Sequence, residues 1–373
     1  MSEKTSVKSK GFFSSFHVVK RDRISWQKEI LIRILAVLAA LLVVGLLTVI
    51  ITGINPLAFY ATLIDGSIGT SRRLWITLQG VAMLLCVSVA LTPSFKMRFW
   101  NTGGEGQVLI GGMATAACMI LLSGKVPDGL LMPIMLVSAL VVGALWAAIP
   151  AIFKAKWNTN ETLFTLMMNY VAMQIVSYFT LEWSVPKGSG QIGVINQPTQ
   201  LGWIPKIGSN PYLINILVVL AITAFIYFYI RETKHGYELS VVGESLNTAK
   251  YIGLNVPKVM VRTLILSGAI CGLAGFLLVA GADHTITAST AAGRGFTAIM
   301  VCWLAKFNPI QMIIYSGVLV FMQRGAGEIS TIYTLNASYG EIVTGIIIFF
   351  IIGFEFFIRY SIQKKGSLKG DKQ

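Results

Sequence analysis

The sequence has few charged residues for its length. Asp, Glu, Lys and Arg make up 12% of the 373 residues, whereas hydrophobic residues make up 55%. Soluble globular chains carry roughly a quarter charged residues, so this chain lacks the polar surface that a soluble fold needs. Its first apolar run, from Ile34 to Ile51, contains no charge and approaches the roughly 20 residues that cross a bilayer. The composition therefore predicts an integral membrane protein.

The sequence also lacks the motifs of common nucleotide-binding and catalytic sites. It contains no G-x-x-x-x-G-K-[ST], no H-E-x-x-H and no G-x-S-x-G, which mark phosphate-binding loops, zinc sites and serine nucleophiles. The three histidines stand apart in tails and loops, at His17, His235 and His284. We therefore expect that this protein is not an enzyme and that it binds no cofactor. If ATP drives this protein, another chain must bind it.

Cysteine gives no sign of a metal site or a disulfide. The four cysteines stand in separate apolar stretches, at Cys86, Cys118, Cys271 and Cys302. None of them has the C-x-x-C spacing of a metal or redox site. We expect them to be small buried residues.

Apolar runs that end at charged residues or at Gly, Pro and Asn predict ten transmembrane spans. They cover residues 34–53, 74–92, 101–123, 130–153, 162–182, 212–230, 263–282, 295–305, 310–322 and 341–358. The eighth and ninth are short and flank Lys306, Asn308 and Pro309, so we interpret them as half-spans or as one broken helix covered by protein. The predicted fold is all-α, a polytopic transmembrane helical bundle over residues 34–358.

The distribution of positive charge predicts the orientation. With both termini inside, 23 of the 30 Lys and Arg residues fall on inner segments, as the positive-inside rule requires. The net charge of +14 then follows from topology and implies no nucleic acid partner. This topology makes residues 1–33 and 359–373 cytoplasmic tails and residues 183–211 an irregular external loop. Residues 231–258 become a cytoplasmic segment with one short helix.

Two glycine-rich breaks precede apolar runs, at Asn101–Gly112 and Ala291–Phe296. In the predicted topology the first begins at the cytoplasmic side and the second at the outer side. Such a pair is typical of transporters built as inverted repeats with broken helices, in which the pore lies at the repeat boundary. Glycine-rich packing between helices explains the pair equally well, so both interpretations stay open.

The strongest chemical feature is a polar group at the start of the third span, formed by Asn101, Glu105 and Gln107. Ionisable groups at membrane depth usually face a bundle interior or a water-filled cavity, which predicts that this group lines a translocation path. The alternative is that it satisfies backbone groups freed at a broken helix. Three charged or titratable residues near the outer end of the seventh span are expected to form a solvated rim: Asp283, His284 and Arg294.

A second cluster lies in the sequence NETLFTLMMNYVA at residues 160–172. Glu161, Thr165 and Met168 fall on one helical face. Asn169 and Tyr170 offer hydrogen bonds and an aromatic surface to a polar solute with a flat ring. These five residues are therefore predicted to join the translocation path, and hydrogen bonding between helices is their alternative role.

Four stretches, in order, resemble the branched-chain amino acid, sugar and nucleoside permease family of bacterial ABC importers. They are NTGGEGQVLIGG at 101–112, GYELSVVGESLNTAKYIGLNV at 236–256, GAICGLAGFLLVAG at 268–281 and GRGFTAIMVCWLAKFNP at 293–309. The resemblance implies a second homologous permease subunit, a separate ATP-binding subunit and an external solute-binding lipoprotein, with the pore between the two permeases. The Asn-Glu and Met-x-Asn-Tyr pattern within residues 160–172 is similar to the branch that serves nucleosides.

The same resemblance implies where the ATP-binding subunit would couple. A short helix would dock into a cleft of that subunit, and the role falls on Gly236, Gly243, Glu244, Ala249 and Gly253. This chain departs from the family pattern in part. Leu239 and Ser240 stand where many relatives have Arg-Ala, and Glu244 occupies a position that is often Asn.

The expected function is that of a permease subunit of an ABC importer in the bacterial cytoplasmic membrane. It would form the path for a small polar solute, with nucleosides as the first expectation. One alternative is the same role for a simple sugar. The other is a stand-alone secondary transporter driven by an ion gradient, in which Glu105 would be the ion site.

Overall fold

The computed structural model describes residues 16–20, 25–53, 55–208, 210–336 and 338–364. Much of the predicted N-terminal tail (1–15 and 21–24) and most of the predicted C-terminal tail (365–373) lie outside the described residues. The predictions for those parts of the tails stay predictions.

Helices dominate the described residues, and the predicted all-α class is confirmed. A short strand stands at either end, β1 (Phe16–Lys20) and β2 (Tyr360–Lys364). The helices between them are α1 (Trp26–Thr52), α2 (Pro56–Ile68), α3 (Ser71–Lys96), α4 (Gly104–Leu122), α5 (Asp128–Trp157), α6 (Glu161–Glu182), α7 (Leu213–Glu232), α8 (Lys234–Glu244), α9 (Leu246–Tyr251), α10 (Val256–Leu278), α11 (Arg294–Leu304), α12 (Pro309–Ile332) and α13 (Ser338–Arg359). A π-helical turn, Val279–Asp283, extends α10.

Eight of the ten predicted spans are confirmed as helices long and apolar enough to cross a membrane. They are α1, α3, α4, α5, α6, α7, α10 with its π-helical turn, and α13. The predicted eighth span is the shorter apolar helix α11, with 11 residues. The predicted ninth span ended too early, because α12 continues past Arg324 and Glu328 to Ile332. Polar residues interrupt the apolar run there without ending the helix.

The chain divides into two compact units, with their boundaries inside α2 and α12. One unit contains residues 1–66 and 322–373, and in it α1 packs antiparallel against α13. The hydroxyl groups of Thr48 and Tyr339 form a hydrogen bond between these two helices. Next to them β1 pairs antiparallel with β2. β1 and β2 therefore lie on the same side of this unit, and the cytoplasmic identity of that side stays a prediction.

The second unit, residues 67–321, is built around α10. At Gly272 a Cβ atom would overlap the carbonyl oxygen of Ala139 on α5, and at Gly111 of α4 it would overlap the backbone of Gly272. A Cβ atom on Gly268 would likewise overlap the backbone of Gly143. Small residues let membrane helices approach until their backbones touch. The glycines in the 268–281 stretch therefore serve helix packing.

The cytoplasmic segment predicted at 231–258 contains two short helices instead of one. α8 ends at Glu244, and α9 begins at Leu246. Between them Ser245 is extended, and its hydroxyl accepts a hydrogen bond from the Thr248 amide at 3.2 Å. Serine at an N-cap favours the start of a new helix. The single helix expected from composition is therefore broken by a local cap.

The external loop, 183–211, has no helix and no extended strand among its described residues, as predicted. It covers the C-terminal end of α10. The Ile195 amide donates to the His284 carbonyl at 2.8 Å, and the Ile204 amide donates to the Ala280 carbonyl at 2.9 Å. The Trp203 indole stacks on the His284 imidazole, with ring centroids 3.7 Å apart.

The expected solvated rim is correct only in part. Asp283 is exposed, whereas His284 is half-buried beneath the external loop. Arg294 is also half-buried, and its guanidinium donates to the carbonyl oxygens of Thr290 and Ala291. The fold of the loop back onto α10 could not be read from the local sequence.

The close approach of α5 and α10 predicts a penalty for one methyl group. We expect Gly272→Ala to lower the stability of the purified protein by about 1–3 kcal/mol, as overpacking does, and to lower its melting temperature in detergent. The matched control is Gly317→Ala on α12, where a Cβ atom meets nothing within 4 Å. An unchanged melting temperature for Gly272→Ala would contradict the backbone contact.

The covered His284 predicts a pH dependence of stability. Burial, and then the positive charge of Lys206, lower the pKa of His284 below its usual value. The unfolded chain therefore binds this proton more readily, so stability is complete above the ordinary histidine pKa of about 6.5 and falls below it. We expect the melting temperature to drop from pH 7.5 to pH 5.5.

His284→Gln should reduce that drop, whereas His235→Gln should keep it, because His235 lies on α8, outside the external loop. A drop of equal size in wild type and His284→Gln would rule out His284 as its source.

Candidate functional site

The polar group at the start of α4 is buried and internally hydrogen-bonded. Asn101, Glu105 and Gln107 are each 3% exposed or less. The Asn101 Oδ1 accepts from the Gly103 amide and from the Gln107 side-chain amide, each at 3.1 Å. Its Nδ2 donates to the Ser267 hydroxyl on α10 at 3.3 Å. Asn101 thus joins the turn before α4 to the central helix.

Glu105 holds the first turn of α11. Its Oε1 accepts from the Gly293 amide and its Oε2 from the Gly295 amide, both at 2.7 Å. The first amides of a helix have no partner within it, and the positive end of the helix dipole favours an anion there. A Cβ atom on Gly295 would overlap the Glu105 backbone. The carboxylate therefore supports backbone freed at a broken helix, which was the alternative role.

The junction of α4 and α11 lies midway along α10. Asn101 bonds to Ser267, which is 11 residues, or about 16 Å, past the start of α10 at Val256. Gly111 meets Gly272 further along, so α4 runs parallel to α10 from this point.

α11 runs the opposite way. Its Trp303 stacks on Trp100, just before α4, with centroids 5.3 Å apart. The two broken elements therefore leave one point in opposite directions. Their breaks were expected at opposite faces, but the structure brings them together midway along α10, and the inverted repeat stays a prediction.

The inner face of α6 completes this buried network. Asn169 Oδ1 accepts from the Gly106 amide at 2.8 Å, and its Nδ2 donates to the Thr102 carbonyl at 2.9 Å. The Thr165 hydroxyl lies 2.9 Å from the Thr102 hydroxyl and accepts from the Thr102 amide at 3.1 Å. No sequence motif pointed to Thr102 itself. The neighbouring Asn101 and glycines indicated only that the backbone in this turn would need hydrogen-bond partners.

The remaining predicted path residues of α6 lie elsewhere. The buried stripe of this helix is Thr165, Asn169, Ala172, Val176 and Thr180. Met168 is half-buried and Tyr170 is 56% exposed, so both stand outside the stripe. Glu161 forms an ion pair with Lys154 of α5 at 3.0 Å. Glu161, Thr165 and Met168 were expected to line one common surface. In the structure, each of the three side chains has different surroundings.

Two shallow grooves follow the outward side of α6. One, of about 440 Å³, includes Met168, and the other, of about 470 Å³, includes Tyr170. Gln174 and Tyr178 continue the line of Tyr170 at four-residue steps, and both are exposed. Gln174 and Tyr178 were not predicted to join the path, although their helical spacing places them on the same side of α6 as Tyr170.

The predicted coupling residues shape α8, α9 and the turns around them. A Cβ atom on Gly236 would overlap the carbonyl oxygen of Ile230, and one on Gly243 would overlap that of Lys96 at the end of α3. Ala249 is fully buried. Gly253 has φ +83°, a left-handed conformation that favours glycine. Tight turns and close packing thus explain four small residues.

The residues that depart from the family pattern lie on two sides of the coupling segment. Leu239, where the family resemblance implies Arg, is fully buried in an apolar cluster with Val242 and Val259. Glu244 is exposed. It lines a cleft of about 240 Å³ that also includes Arg98 and Glu161. The Glu161 side chain therefore borders the coupling segment, while its backbone carbonyl accepts the Thr165 hydroxyl at 2.7 Å.

Within the described residues, no three His, Cys, Asp or Glu side chains gather as a metal site would require. Three of the four cysteines are buried as expected, at Cys86, Cys271 and Cys302, and Cys118 is half-buried.

The position of Glu105 predicts a specific loss of stability. Glu105→Gln replaces one accepting oxygen with an NH₂ group that faces a backbone amide, and it removes the charge at the start of α11. We expect a loss of about 1–3 kcal/mol, the range for an unpaired buried polar group, seen as a lower melting temperature. Asp128→Asn is the control, because Asp128 is an exposed acid in the first turn of α5. Equal melting temperatures would refute the capping role.

Comparison with known proteins yields relatives that match most of the chain. A glucose ABC transporter permease protein of Haloferax volcanii is 28% identical, over 88% of either chain. The guanosine ABC transporter permease protein NupP of Bacillus subtilis is 26% identical, over 91% of this chain and 98% of its own. The nucleoside ABC transporter permease protein NupB of Lactococcus lactis is 25% identical, over 92% and 96%. Each of these two bacteria has a further matching permease of the same name series, NupQ and NupC.

A family model covers residues 73–352 and is described as "Branched-chain amino acid transport system / permease component". The matched region contains both breaks, the α4–α11 junction and the coupling segment. This chain therefore belongs to the family of permease components of branched-chain amino acid transport systems.

Proposed function

We propose that this protein is the permease subunit of an ABC importer that carries nucleosides across the bacterial cytoplasmic membrane. A separate ATP-binding subunit hydrolyses ATP on the cytoplasmic side. The observation that carries the proposal is the match of nearly the whole chain to permeases named for guanosine and for nucleosides. The residue pattern at 160–172 supports the same solute class.

The surface of the coupling segment supports an ATP-binding partner. Its inner side packs in the apolar cluster around Leu239. Its exposed surface includes four large apolar residues, Tyr237, Leu246, Tyr251 and Ile252. Exposed apolar groups that cluster on a surface commonly mark a protein contact. Glu244 and Gly253 lie on this segment. We assign its exposed surface to the contact with the ATP-binding subunit.

The outward side of α6 supports a second permease subunit across a solute path. An exposed glutamine amide such as that of Gln174 is costly against lipid tails, and Tyr170 and Tyr178 flank it with aromatic surface. We assign Met168 and Tyr170 to the wall of this path. The buried network of Asn101, Glu105, Gln107, Thr165 and Asn169 positions that wall from behind. The paired relatives support an assembly of two different permeases.

A simple sugar is the second candidate solute, because the Haloferax volcanii relative is named for glucose. A stand-alone secondary transporter has less support. Its ion site would be Glu105, and both carboxylate oxygens of Glu105 already accept backbone hydrogen bonds.

Uptake by the reconstituted assembly tests the proposal. Proteoliposomes would contain this chain with its ATP-binding subunit and second permease, and the binding lipoprotein would be added outside. We expect uptake of tritiated guanosine that requires ATP on the ATPase side and that unlabelled adenosine reduces. The control is the same assembly with the phosphate-binding lysine of the ATP-binding subunit replaced by alanine.

Other outcomes would contradict the proposal. Competition by glucose and not by adenosine would indicate the sugar role. Uptake by this chain alone, abolished by an ionophore and independent of ATP, would indicate a secondary transporter.

A further inference from the structure

One ion pair ties the coupling segment to the central helix. Arg262 of α10 donates from Nη2 to Oε2 of Glu238 on α8 at 2.7 Å. Both side chains are partly covered, at 32% and 25% exposure. His235 Nδ1 lies 3.8 Å from the same carboxylate oxygen, and the Tyr229 ring stacks over His235. The pair thus joins the proposed ATPase-facing helix to a transmembrane helix.

The partner helix of this pair is the one through which motion would reach the buried network. α10 touches the backbones of α4 and α5 at Gly111 and Ala139. It also bonds to Asn101, which accepts a hydrogen bond from Gln107 of α4. Glu105, on the same helix as Gln107, binds the start of α11. Close-packed interiors transmit displacement because they have little free volume. A displacement of α10 would therefore reach the junction of the two broken elements.

The apolar contacts between α8 and α10 do not by themselves fix how these helices are aligned. Leu239 and Val242 pack with Val259 and Leu264, and hydrophobic contact is non-directional. A charge-assisted hydrogen bond is short and directional. Glu238 stands next to Leu239, so α8 has one side in the apolar cluster and one carboxylate bonded to α10.

We propose that Glu238 and Arg262 form a coupling strut, a directional link that converts movement of α8 by the ATP-binding subunit into movement of α10. The inference rests on the proposed ATPase-coupled function. Partly exposed ion pairs contribute little to stability, about 0–1 kcal/mol. Glu238 and Arg262 are therefore positioning residues. Loss of their ion pair should lower solute uptake per ATP hydrolysed and leave the stability of the fold unchanged.

The experiment measures guanosine uptake per ATP hydrolysed in the reconstituted assembly. The variants are Glu238→Gln, Arg262→Gln, Glu238→Arg, Arg262→Glu and the double exchange of Glu238→Arg with Arg262→Glu. Melting temperature and co-purification of the ATP-binding subunit are measured for each. The control is Asp128→Asn, which also removes one negative charge, because Asp128 is an exposed acid in the first turn of α5 and lies outside the coupling segment.

We expect Glu238→Gln and Arg262→Gln to keep their melting temperature and their ATP-binding subunit. Their uptake per ATP should fall at least about fivefold, the low end of coupling between sites. The charge reversals should fall further, and the double exchange should recover most of the wild-type ratio. Asp128→Asn should match wild type.

Two results would overturn the strut while leaving the proposed function intact. One is wild-type coupling in Glu238→Gln. The other is loss in the single variants without recovery in the double exchange, which would mean that Glu238 or Arg262 contacts the ATP-binding subunit directly. A wild-type assembly without ATP-dependent uptake and without a co-purifying ATP-binding subunit would instead refute the proposed function.

Discussion

The two hydrogen bonds between the Glu105 carboxylate and the first turn of α11 are the contact on which the second unit depends. They lie midway along α10, where a backbone amide without a partner would cost several kcal/mol in hydrocarbon. The anion satisfies Gly293 and Gly295 at once and matches the positive end of the helix. Two broken elements can therefore begin inside the bundle without exposing their backbones.

Glycine packing surrounds this contact and connects it to the end of α10 that carries Arg262. Where Gly272 meets Gly111 and Ala139, α4, α5 and α10 have no side chains between them that could absorb a shift. The polar links at Asn101 and at Arg262 lie on this same rigid core, at different levels of α10. The proposed coupling segment and the start of α11 are therefore connected through α10.

The polar residues of the permease divide into two roles that the sequence pattern treats alike. Thr165 and Asn169 of α6 form hydrogen bonds with the backbone just before and within α4. Tyr170 and Gln174, a few positions away, face outward along an open groove. Amides and hydroxyl groups near a broken helix stabilise the break, whereas those on an unpaired aromatic face can meet a solute. This division restricts the proposed solute path to the outward side of α6.

The sequence by itself determined the membrane class, eight of the ten spans and the family, because scarce charge, apolar length and ordered motifs are properties of the chain alone. The sequence did not show where α12 and α8 end. α12 stays helical past Arg324, and Ser245 caps the start of a new helix directly after α8. Only the tertiary structure decided what Glu105 bonds to, which face of α6 is buried, and that Glu238 meets Arg262. Those pairings join residues far apart in sequence, and their partners depend on how helices pack.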